Sequence, residues 1–462
     1  LQFFVKPLFA GVDKGIDVAE VQTMLTELCI DAGPIDGVWG RKTETAVKGF
    51  LYNYSGQFGE NDMKILKSHH WLFTKEKKCK ATAIKQPLRK NYRKGSLDLE
   101  GRLAELSKKS ALGSKCSKGY YNQSPKPEII KILNPTKSKF GGNDPSVQNF
   151  SNLIVDLTAA CFAGSKAACS SGINSLNQYA SLDAPKESNE SKRSKSLHNK
   201  NVYIMNTSFI SPTINFLSVY DQQVGLTKQE LGIFDDWLKN IVKRYRRNRC
   251  QKHEPVEYRK HGHRHSKAAQ NHCISSAIST AALGSWLDDE KLLNEGVRQW
   301  KKTLGTMRKD GSLPFETSRG AKAINYSGYT ITKLMRMAEI LRQNGIDLYS
   351  LEVKGRTIHD NVNFYLNVME NPSLIHNYAK FNVSTGGANS YQNQEEPGFG
   401  SGHHAWIPIY MLRFPKHPNT KRLKSFSGKE NKHTQVLSEV VKIGYGGNYG
   451  MDADPKCFYS KP

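Results

Sequence analysis

The sequence predicts an all-α fold in which successive helical hairpins stack into an (α/α) barrel or toroid. Beyond residue 145, apolar residues recur at the spacing of amphipathic helices, and no segment shows the convincing alternation of a strand. These helices follow one another without a fixed short repeat, which favours a closed toroid over an open solenoid. The clearest apolar stripes run over residues 147–157, 231–241 and 331–338.

A smaller helical unit is predicted at residues 1–73. Apolar residues between Val18 and Leu28 have helical spacing, a turn follows at 33–37 (Gly-Pro-Ile-Asp-Gly), and a second helix carries Ala46, Val47 and Phe50. This pattern resembles the peptidoglycan-binding module that is attached to exported hydrolases. The resemblance implies a helical wall-binding-like domain, with peptidoglycan as a candidate partner.

Positive charge is the strongest feature of the composition. The chain has 67 Lys and Arg against 42 Asp and Glu, a net charge of +25. Residues 74–142 alone hold 18 basic against 5 acidic residues and show little apolar periodicity. We expect this stretch to be a basic connector, extended or solvated, before a third region at 143–462, and a Lys-rich linker without a ligand is the alternative.

The charge also narrows the choice of partners. Such a surplus concentrates polyanions, so nucleic acid, anionic lipid and acidic polysaccharide all fit. A nucleic-acid partner rests on charge alone, because no reader motif is recognised. No apolar run approaches the ~20 residues that a membrane-spanning helix needs. We therefore expect an acidic partner and no membrane span; the charge alone does not choose among these partners, and the resemblance described below is what implies an anionic polysaccharide and no nucleic acid.

The eight cysteines contain no CxxC pair, so their spacing fits neither a zinc site nor a redox dithiol. Cys161 and Cys169 are the best local pair, because the intervening Gly-Ser could form a turn that brings them together. Two buried thiols are the alternative.

Two polar segments could carry chemistry of their own. His261-Gly-His263-Arg-His265 has metal-ligand residue types without acidic or cysteine companions, so we expect a polar loop and no metal. The run Lys243–Arg249 follows an amphipathic helix that ends near residue 242. It could contact phosphates or line an anionic sugar groove.

Three clusters combine the groups that a proton abstraction beside a carboxylate requires. An amide and an imidazole adjoin at Asn271-His272, and a guanidinium at Arg319 is followed by Asn325-Tyr326. His403-His404 with Trp406 forms the third. The carboxylate must be neutralised before its α-proton can leave, and an acid and a base must then complete an elimination.

These residues resemble the alginate lyases of the helical-toroid type, polysaccharide lyase family five. The Asn-His pair, an Arg 47 residues later and an Asn-Tyr seven further on match the family's catalytic spacing. Other matching pieces span residues 311–316, 344–348 and 404–410, and 138–144 resembles the family's lid loop. The resemblance covers about residues 120–415.

Carried over residue by residue, the resemblance implies four catalytic residues. Asn271 and Arg319 would bind the uronate carboxylate, Tyr326 would donate and also remove a proton, and His272 would neutralise the carboxylate or act as base. Each residue also has a purely structural alternative: Asn271 as a helix cap, His272 as a packed core histidine, Arg319 as part of a surface ion pair and Tyr326 as a core aromatic. The resemblance implies neither a metal nor a cofactor. The substrate-binding residues that it implies are Lys139, Phe140, Asn325, His403, His404, Trp406 and Tyr410.

The sequence departs from the family around these residues. Residues 273–275 (Cys-Ile-Ser) and Ala323-Ile324 replace aromatic and Tyr-His positions, and Phe140 replaces a lid tyrosine. We interpret these departures as changed subsite walls around an unchanged catalytic centre.

The resemblance implies a lyase that cleaves a polyuronate by β-elimination, and polymannuronate is the first choice of substrate. Another polyuronate such as polyglucuronate, or a non-catalytic cationic glycan-binding protein, is the alternative. Export is expected, to the periplasm or beyond, with no signal peptide in this chain.

Overall fold

The computed structural model describes residues 11–27, 32–50, 56–74, 93–99, 101–102, 145–162, 166–185, 203, 205–246, 255–258, 263–266, 271–380, 391–395, 402–428, 430–443 and 455–458. The chain divides into two compact units. One comprises residues 1–91 together with 341–350, and the other comprises residues 92–340 together with 351–462. No helix in the described ranges is long and apolar enough to cross a lipid bilayer.

The smaller unit contains three helices and a short parallel strand pair in its described N-terminal part. The strands β1 (Gly11–Val12) and β2 (Gln57–Phe58) pair in register, and the helices are α1 (Val18–Glu27), α2 (Arg41–Phe50) and α3 (Glu60–Thr74). Their core includes Val21, Leu25, Val47, Phe58 and Leu66. The helical spacing predicted here is confirmed, whereas peptidoglycan binding by residues 1–73 stays a prediction.

A buried glutamine organises the predicted Asp-Gly turn of this unit. Gln22 is 1% exposed, and its Nε2 donates to the Oδ1 of Asp36 and the carbonyl oxygen of Val38, each at 3.0 Å. Its Oε1 accepts from the backbone N of Asp36 and Gly37 at 3.1 and 2.9 Å. Because both ends of the amide are bonded, Gln22 fixes the turn while remaining inside the core.

The larger unit is built almost entirely from helices in its described part, and the all-α prediction is confirmed. The elements are α4 (Pro145–Phe162), α5 (Lys166–Ser181), α6 (Ile210–Gln223), α7 (Lys228–Tyr245), β3 (Pro255–Tyr258), β4 (His263–Ser266), α8 (Asn271–Leu287), α9 (Glu290–Thr306), α10 (Pro314–Thr317), α11 (Ala323–Arg342), α12 (Ile358–Glu370), α13 (His376–Ala379), α14 (Trp406–Arg413), α15 (Pro418–Ser425), α16 (Lys432–Ile443) and α17 (Pro455–Phe458).

The hairpin of α8 and α9 shows how these helices pair. Asp288 takes a positive φ of 57° at the end of α8, and the side chain of Asp289 caps α9 by accepting from the backbone N of Leu292 at 3.1 Å. Gly284 lies against the start of α9, where an added Cβ would come within 2.7 Å of the backbone N of Leu293. A larger residue there would separate the two helices.

The helices α4, α5 and α6 pack together at the start of this unit. Gly172 on α5 lies against the ring of Phe216 on α6, leaving no room for a side chain. A disulfide joins Cys161 on α4 to Cys169 on α5. This pairing confirms the predicted bridge over the alternative of two buried thiols, and Cys273 and Cys457 are also disulfide-bonded.

The structure corrects two expectations drawn from polar sequence. The His261–His265 segment was expected to be a loop, but its residues 263–265 belong to β4, which pairs antiparallel with β3. Arg93–Leu99, within the predicted basic connector, is not solvated: Ser96 is 2% exposed. The backbone N of Ser96 donates to the Oδ1 of Asn215 at 2.7 Å, and the guanidinium of Arg93 pairs with Asp235 at 3.1 Å.

The basic run at the end of α7 is also tied to its own unit. The helix ends at Tyr245 and not near residue 242. Arg244 pairs with Asp183 at 2.6 Å and Arg246 pairs with Glu295 at 2.6 Å. The charges of these two residues are therefore balanced by local carboxylates, and neither phosphate nor sugar binding is needed to explain them.

Candidate active site

The Asn-His pair begins α8, as the resemblance implied. Asn271 is fully buried, and its backbone N donates to the Oε1 of Glu316 on α10 at 2.7 Å. Its Nδ2 lies 3.2 Å from both carboxylate oxygens of Glu316. A carboxylate at this position satisfies a backbone donor that the first turn of a helix leaves unpaired, and it interacts favourably with the helix dipole.

Lys333 on α11 contacts the other end of the Asn271 amide. Its Nζ donates to the Oδ1 and to the backbone carbonyl of Asn271 at 3.2 and 3.3 Å. The ammonium also lies over the rings of Tyr203 and Tyr329, at 4.8 and 4.1 Å from their centres. Burial lowers the pKa of Lys333 well below its usual value, and Glu316 opposes that effect.

Arg319 lies between two aromatic rings, next to Glu316. It precedes the 3-10 turn Gly320–Lys322, and its guanidinium lies 4.6 Å from the ring centre of Phe315 and 4.2 Å from that of Tyr326. Its Nε is 3.4 Å from the Oε2 of Glu316. Within the part of the chain that the structure describes, Nε and Nη2 of Arg319 are both buried without a hydrogen-bond acceptor, so the Nε contact with Glu316 is an ion pair only and Nη2 has no partner. A buried donor of this kind calls for an anionic ligand.

Asn325 and Tyr326 lie in the first turn of α11, and both are half-buried. The short Gly320–Lys322 turn brings Tyr326 back over Arg319, so the interval of seven residues corresponds to direct stacking. Gln394 secures this turn: its Nε2 donates to the carbonyl of Gly320 at 3.0 Å, and its Oε1 accepts from the backbone N of Ile324 at 3.1 Å.

His272 is half-buried and stacks on Tyr203, with ring centres 4.2 Å apart and planes inclined by 28°. The hydroxyl groups of Tyr203 and Tyr329 are 3.4 Å apart, and Tyr329 in turn packs against His403, with ring centres 5.0 Å apart. Tyr203, Tyr329 and Lys333 therefore connect two of the predicted residues, His272 and His403.

The other predicted substrate-binding residues of this region lie in the core. His404 is 2% exposed, and its Nε2 is 2.9 Å from the hydroxyl of Tyr365. Burial, followed by His403 and His433, lowers the pKa of His404 to about 3. Trp406 and Tyr410 are fully buried, and the Tyr410 hydroxyl contacts the Nδ1 of His359 at 2.7 Å. Substrate contact by these three residues receives no support from their placement.

The predicted lid residues Lys139 and Phe140 lie outside the described residues. The departures from the family pattern at residues 273–275 and at Ala323-Ile324 can be placed, and all five side chains are buried. Their burial gives no support to the interpretation as changed subsite walls, which stays a prediction.

Sequence reasoning missed Glu316, Lys333, Tyr203 and Tyr329 as site residues. Lys333 carried a usable signal: it follows Tyr326 by seven residues, which is two helical turns, and so lies on the same face of α11. Glu316 stood within a matching piece of the sequence, but only the fold shows that its carboxylate meets Asn271.

Similarity to known proteins agrees with this geometry. The family model described as alginate lyase matches residues 149–375. A polysaccharide lyase of Stenotrophomonas maltophilia is 28% identical over 200 residues, which is 43% of this chain and 50% of that protein. An alginate lyase of Pseudomonas syringae pv. syringae is 31% identical over 78 residues, 17% of this chain and 21% of that protein. The chain thus spans at most about half the length of these curated relatives.

Solved structures share the fold. A histidine-to-alanine variant of alginate lyase A1-III, complexed with a tetrasaccharide, superposes with a TM-score of 0.55 at 16% sequence identity. The superposition covers 80% of this chain and 97% of the A1-III chain. Alginate lyase A1-III from Sphingomonas species A1 gives a TM-score of 0.54 at 19% identity, covering 71% and 89%. The predicted (α/α) toroid is confirmed.

The chain therefore shares the helical toroid of these solved structures, and its candidate site groups an amide, an imidazole, a guanidinium and a phenol. More narrowly, residues 149–375, the segment that carries all four predicted catalytic residues, match the alginate lyase family model.

Proposed function

We propose that this protein cleaves a polyuronate by β-elimination, with polymannuronate as the preferred substrate. The observation that carries the proposal is the stacking of Arg319 on Tyr326 with a buried Nη2 that has no acceptor among the described residues. A uronate carboxylate bound at that edge of the guanidinium would place the sugar beside the phenol. The guanidinium proposed to bind the carboxylate and the phenol proposed to transfer the proton are therefore adjacent.

In the proposed reaction, Arg319 neutralises the uronate carboxylate and so makes the C5 proton removable. Tyr326, or His272, accepts the C5 proton as the C5–H electrons form the C4=C5 double bond. The C4–O4 bond breaks at the same time, and the departing O4 takes a proton from the phenol of Tyr326. The products are a new reducing end and an unsaturated uronate end, with no oxidant or water consumed.

Both ends of the Asn271 amide already have hydrogen-bond partners, although the predicted role of Asn271 requires it to bind the substrate carboxylate. Its amide oxygen accepts from Lys333 and its amide nitrogen faces Glu316, and the residue is fully buried. The direct contact of Asn271 with the carboxylate stays a prediction, whereas Arg319 already presents an unused donor.

Substrate choice rests on the stereochemistry of the sugar. Mannuronate and β-glucuronate share the axial H5 and equatorial O4 that set syn elimination, and they differ at C2. Since the departures at residues 273–275 and 323–324 are buried, they give no argument against polymannuronate.

We also propose that the protein acts outside the cytoplasm, because disulfides such as Cys161–Cys169 persist in oxidising compartments.

The test is a substrate panel read by the ultraviolet absorbance of unsaturated uronate ends. Polymannuronate, polyguluronate, mixed alginate, polyglucuronate and hyaluronan are each incubated with the protein, and Tyr326→Phe provides the background control. We expect the largest rate on polymannuronate. Binding of these polymers without any rise in absorbance would instead indicate a non-catalytic glycan-binding protein.

A further inference from the structure

Glu316 is a fully buried carboxylate that the proposed reaction does not consume. It accepts hydrogen bonds from the backbone N and the Nδ2 of Asn271 and pairs with the Nε of Arg319. Removing a carboxylate from water is unfavourable unless charged or polar partners replace the hydration. Here those partners are two of the four predicted catalytic residues.

Lys333 completes a buried row of alternating polar groups. The order is Arg319, Glu316, the Asn271 amide and Lys333, each in contact with the next. The carboxylate of Glu316 and the ammonium of Lys333 determine the orientation of the Asn271 amide, with Nδ2 toward Glu316 and Oδ1 toward Lys333. Glu316 is the only member of this row that contacts both predicted catalytic residues in it.

The contact with Arg319 determines which edge of the guanidinium is left for substrate. Glu316 lies on the Nε side, and the ring faces of Phe315 and Tyr326 cover the guanidinium plane. Rotation of the guanidinium about its long axis would break the Nε contact or the stacking. The Nη edge is therefore held in one direction before any ligand binds.

We propose that Glu316 is a positioning residue of the lyase reaction, which holds the Arg319 guanidinium and the Asn271 amide in the orientation that the uronate carboxylate requires. This inference rests on the proposed function. Glu316 acts through these two residues and does not itself touch the substrate.

The test replaces the carboxylate by an amide of the same shape. In Glu316→Gln, an NH2 group faces the donors of Asn271 or Arg319, so we expect kcat to fall by roughly 10- to 100-fold, as misplaced reacting groups typically cause. KM should change much less than kcat, because Arg319 keeps its charge. The matched control is Glu339→Gln on α11, another buried carboxylate paired with an arginine: Glu339 is 1% exposed and pairs with Arg413 at 2.6 Å. The control should lose stability and keep kcat.

A double-mutant cycle separates positioning from a general structural role. If Glu316 acts through Arg319, the fold-decrease in kcat caused by Arg319→Lys should be at least about tenfold smaller in the Glu316→Gln variant than in the wild type. Additive losses, or a folded Glu316→Gln protein with wild-type kcat, would overturn the proposal. If Glu316→Gln does not fold, Glu316→Asp is read by the same criteria, since it keeps the charge and shortens its reach.

Failure of the proposed function is recognised separately. A wild-type protein that forms unsaturated ends from no polymer would refute the lyase reaction itself. Crystal structures of wild type and Glu316→Gln then decide the positioning role: turned Arg319 or Asn271 side chains in the variant support it, and unchanged side chains overturn it.

Discussion

The guanidinium of Arg319 lies 4.2 Å from the ring centre of Tyr326, so the predicted carboxylate-binding group and the predicted proton-transfer group are adjacent. Two short elements produce this contact, the 3-10 turn Gly320–Lys322 and the first turn of α11. The stacking predicts that the two residues act on one sugar, and the Tyr326 hydroxyl offers the most direct test.

Tyr326→Phe keeps the ring that stacks on Arg319 and removes only the hydroxyl. We expect kcat to fall at least ~10²-fold, the lower end for a general acid or base, while the melting temperature stays within a few degrees. Initial rates of ultraviolet absorbance and a thermal melt provide the two measurements.

The control for this variant is Tyr245→Phe. The Tyr245 hydroxyl donates to the carbonyl of Pro185 at 3.2 Å, far along the chain from Tyr326. Its loss should cost about 1 kcal/mol of stability with activity intact. A folded Tyr326→Phe protein that retained more than about a tenth of wild-type kcat would favour His272 as the proton-transfer residue.

Stability should decrease as the pH falls below neutrality, because buried histidines resist protonation. Burial lowers the pKa of His404 to about 3 and that of His359 to about 4. Below the unfolded value near 6.5 the unfolded chain binds protons that the native state does not. Each such histidine therefore lowers the free energy of unfolding by up to about 1.4 kcal/mol per pH unit, between pH ~6.5 and its native pKa.

Urea denaturation at a series of pH values checks this expectation. His404→Gln should be less stable than wild type at pH 7, because the imidazole contact with Tyr365 is lost. Its stability should depend on pH less steeply by about one proton. A slope equal to that of the wild type would show that His404 titrates normally in the native state.

The Cys161–Cys169 bridge should stabilise the fold without affecting the chemistry. The bridged cysteines are separated by 8 positions, and a loop of this size lowers the free energy of unfolding by roughly 2–3 kcal/mol when opened. The double variant Cys161→Ala/Cys169→Ala should show that loss in denaturant titration and keep wild-type kcat at temperatures below its transition. A large fall in kcat in folded protein would place the bridge closer to the reaction than the structure indicates.

Ionic strength should affect capture of the polymer more than turnover. The net charge is +25, and raising salt from about 0.05 to about 0.5 M shortens the Debye length by roughly threefold. We expect KM for long polyuronate to rise while kcat changes little, and KM for a short oligosaccharide to rise less. A KM independent of salt would exclude long-range attraction as the purpose of the charge.

The helices could be predicted from local apolar periodicity, whereas the placement of Asn271-His272 at the start of a helix was implied by the family resemblance. The sequence could not predict which of two adjacent histidines faces the site. His403 packs on Tyr329 and His404 bonds Tyr365 in the core, and that difference depends on where α14 packs. Consecutive residues of a turn carry no periodic signal.

The remaining misses have the same origin in tertiary contacts. The strand β4 has the sequence His-Arg-His-Ser, which shows no alternation of apolar and polar residues, so only pairing with β3 makes it a strand. Arg93–Leu99 is ordered by groups such as Asn215 and Ser218, more than 100 positions later in the chain. A local reading of its lysines and arginines therefore predicted solvent exposure.

Gln394 supports the turn between Arg319 and Tyr326 from outside the segment that contains the predicted catalytic residues. All four predicted catalytic residues lie within residues 149–375, the segment that the alginate lyase family model matches. Gln394 lies beyond that segment, yet it joins the carbonyl of Gly320 to the backbone N of Ile324. A fragment ending at residue 375 would keep all four predicted catalytic residues but lose the Gln394 hydrogen bonds to the turn between Arg319 and Tyr326.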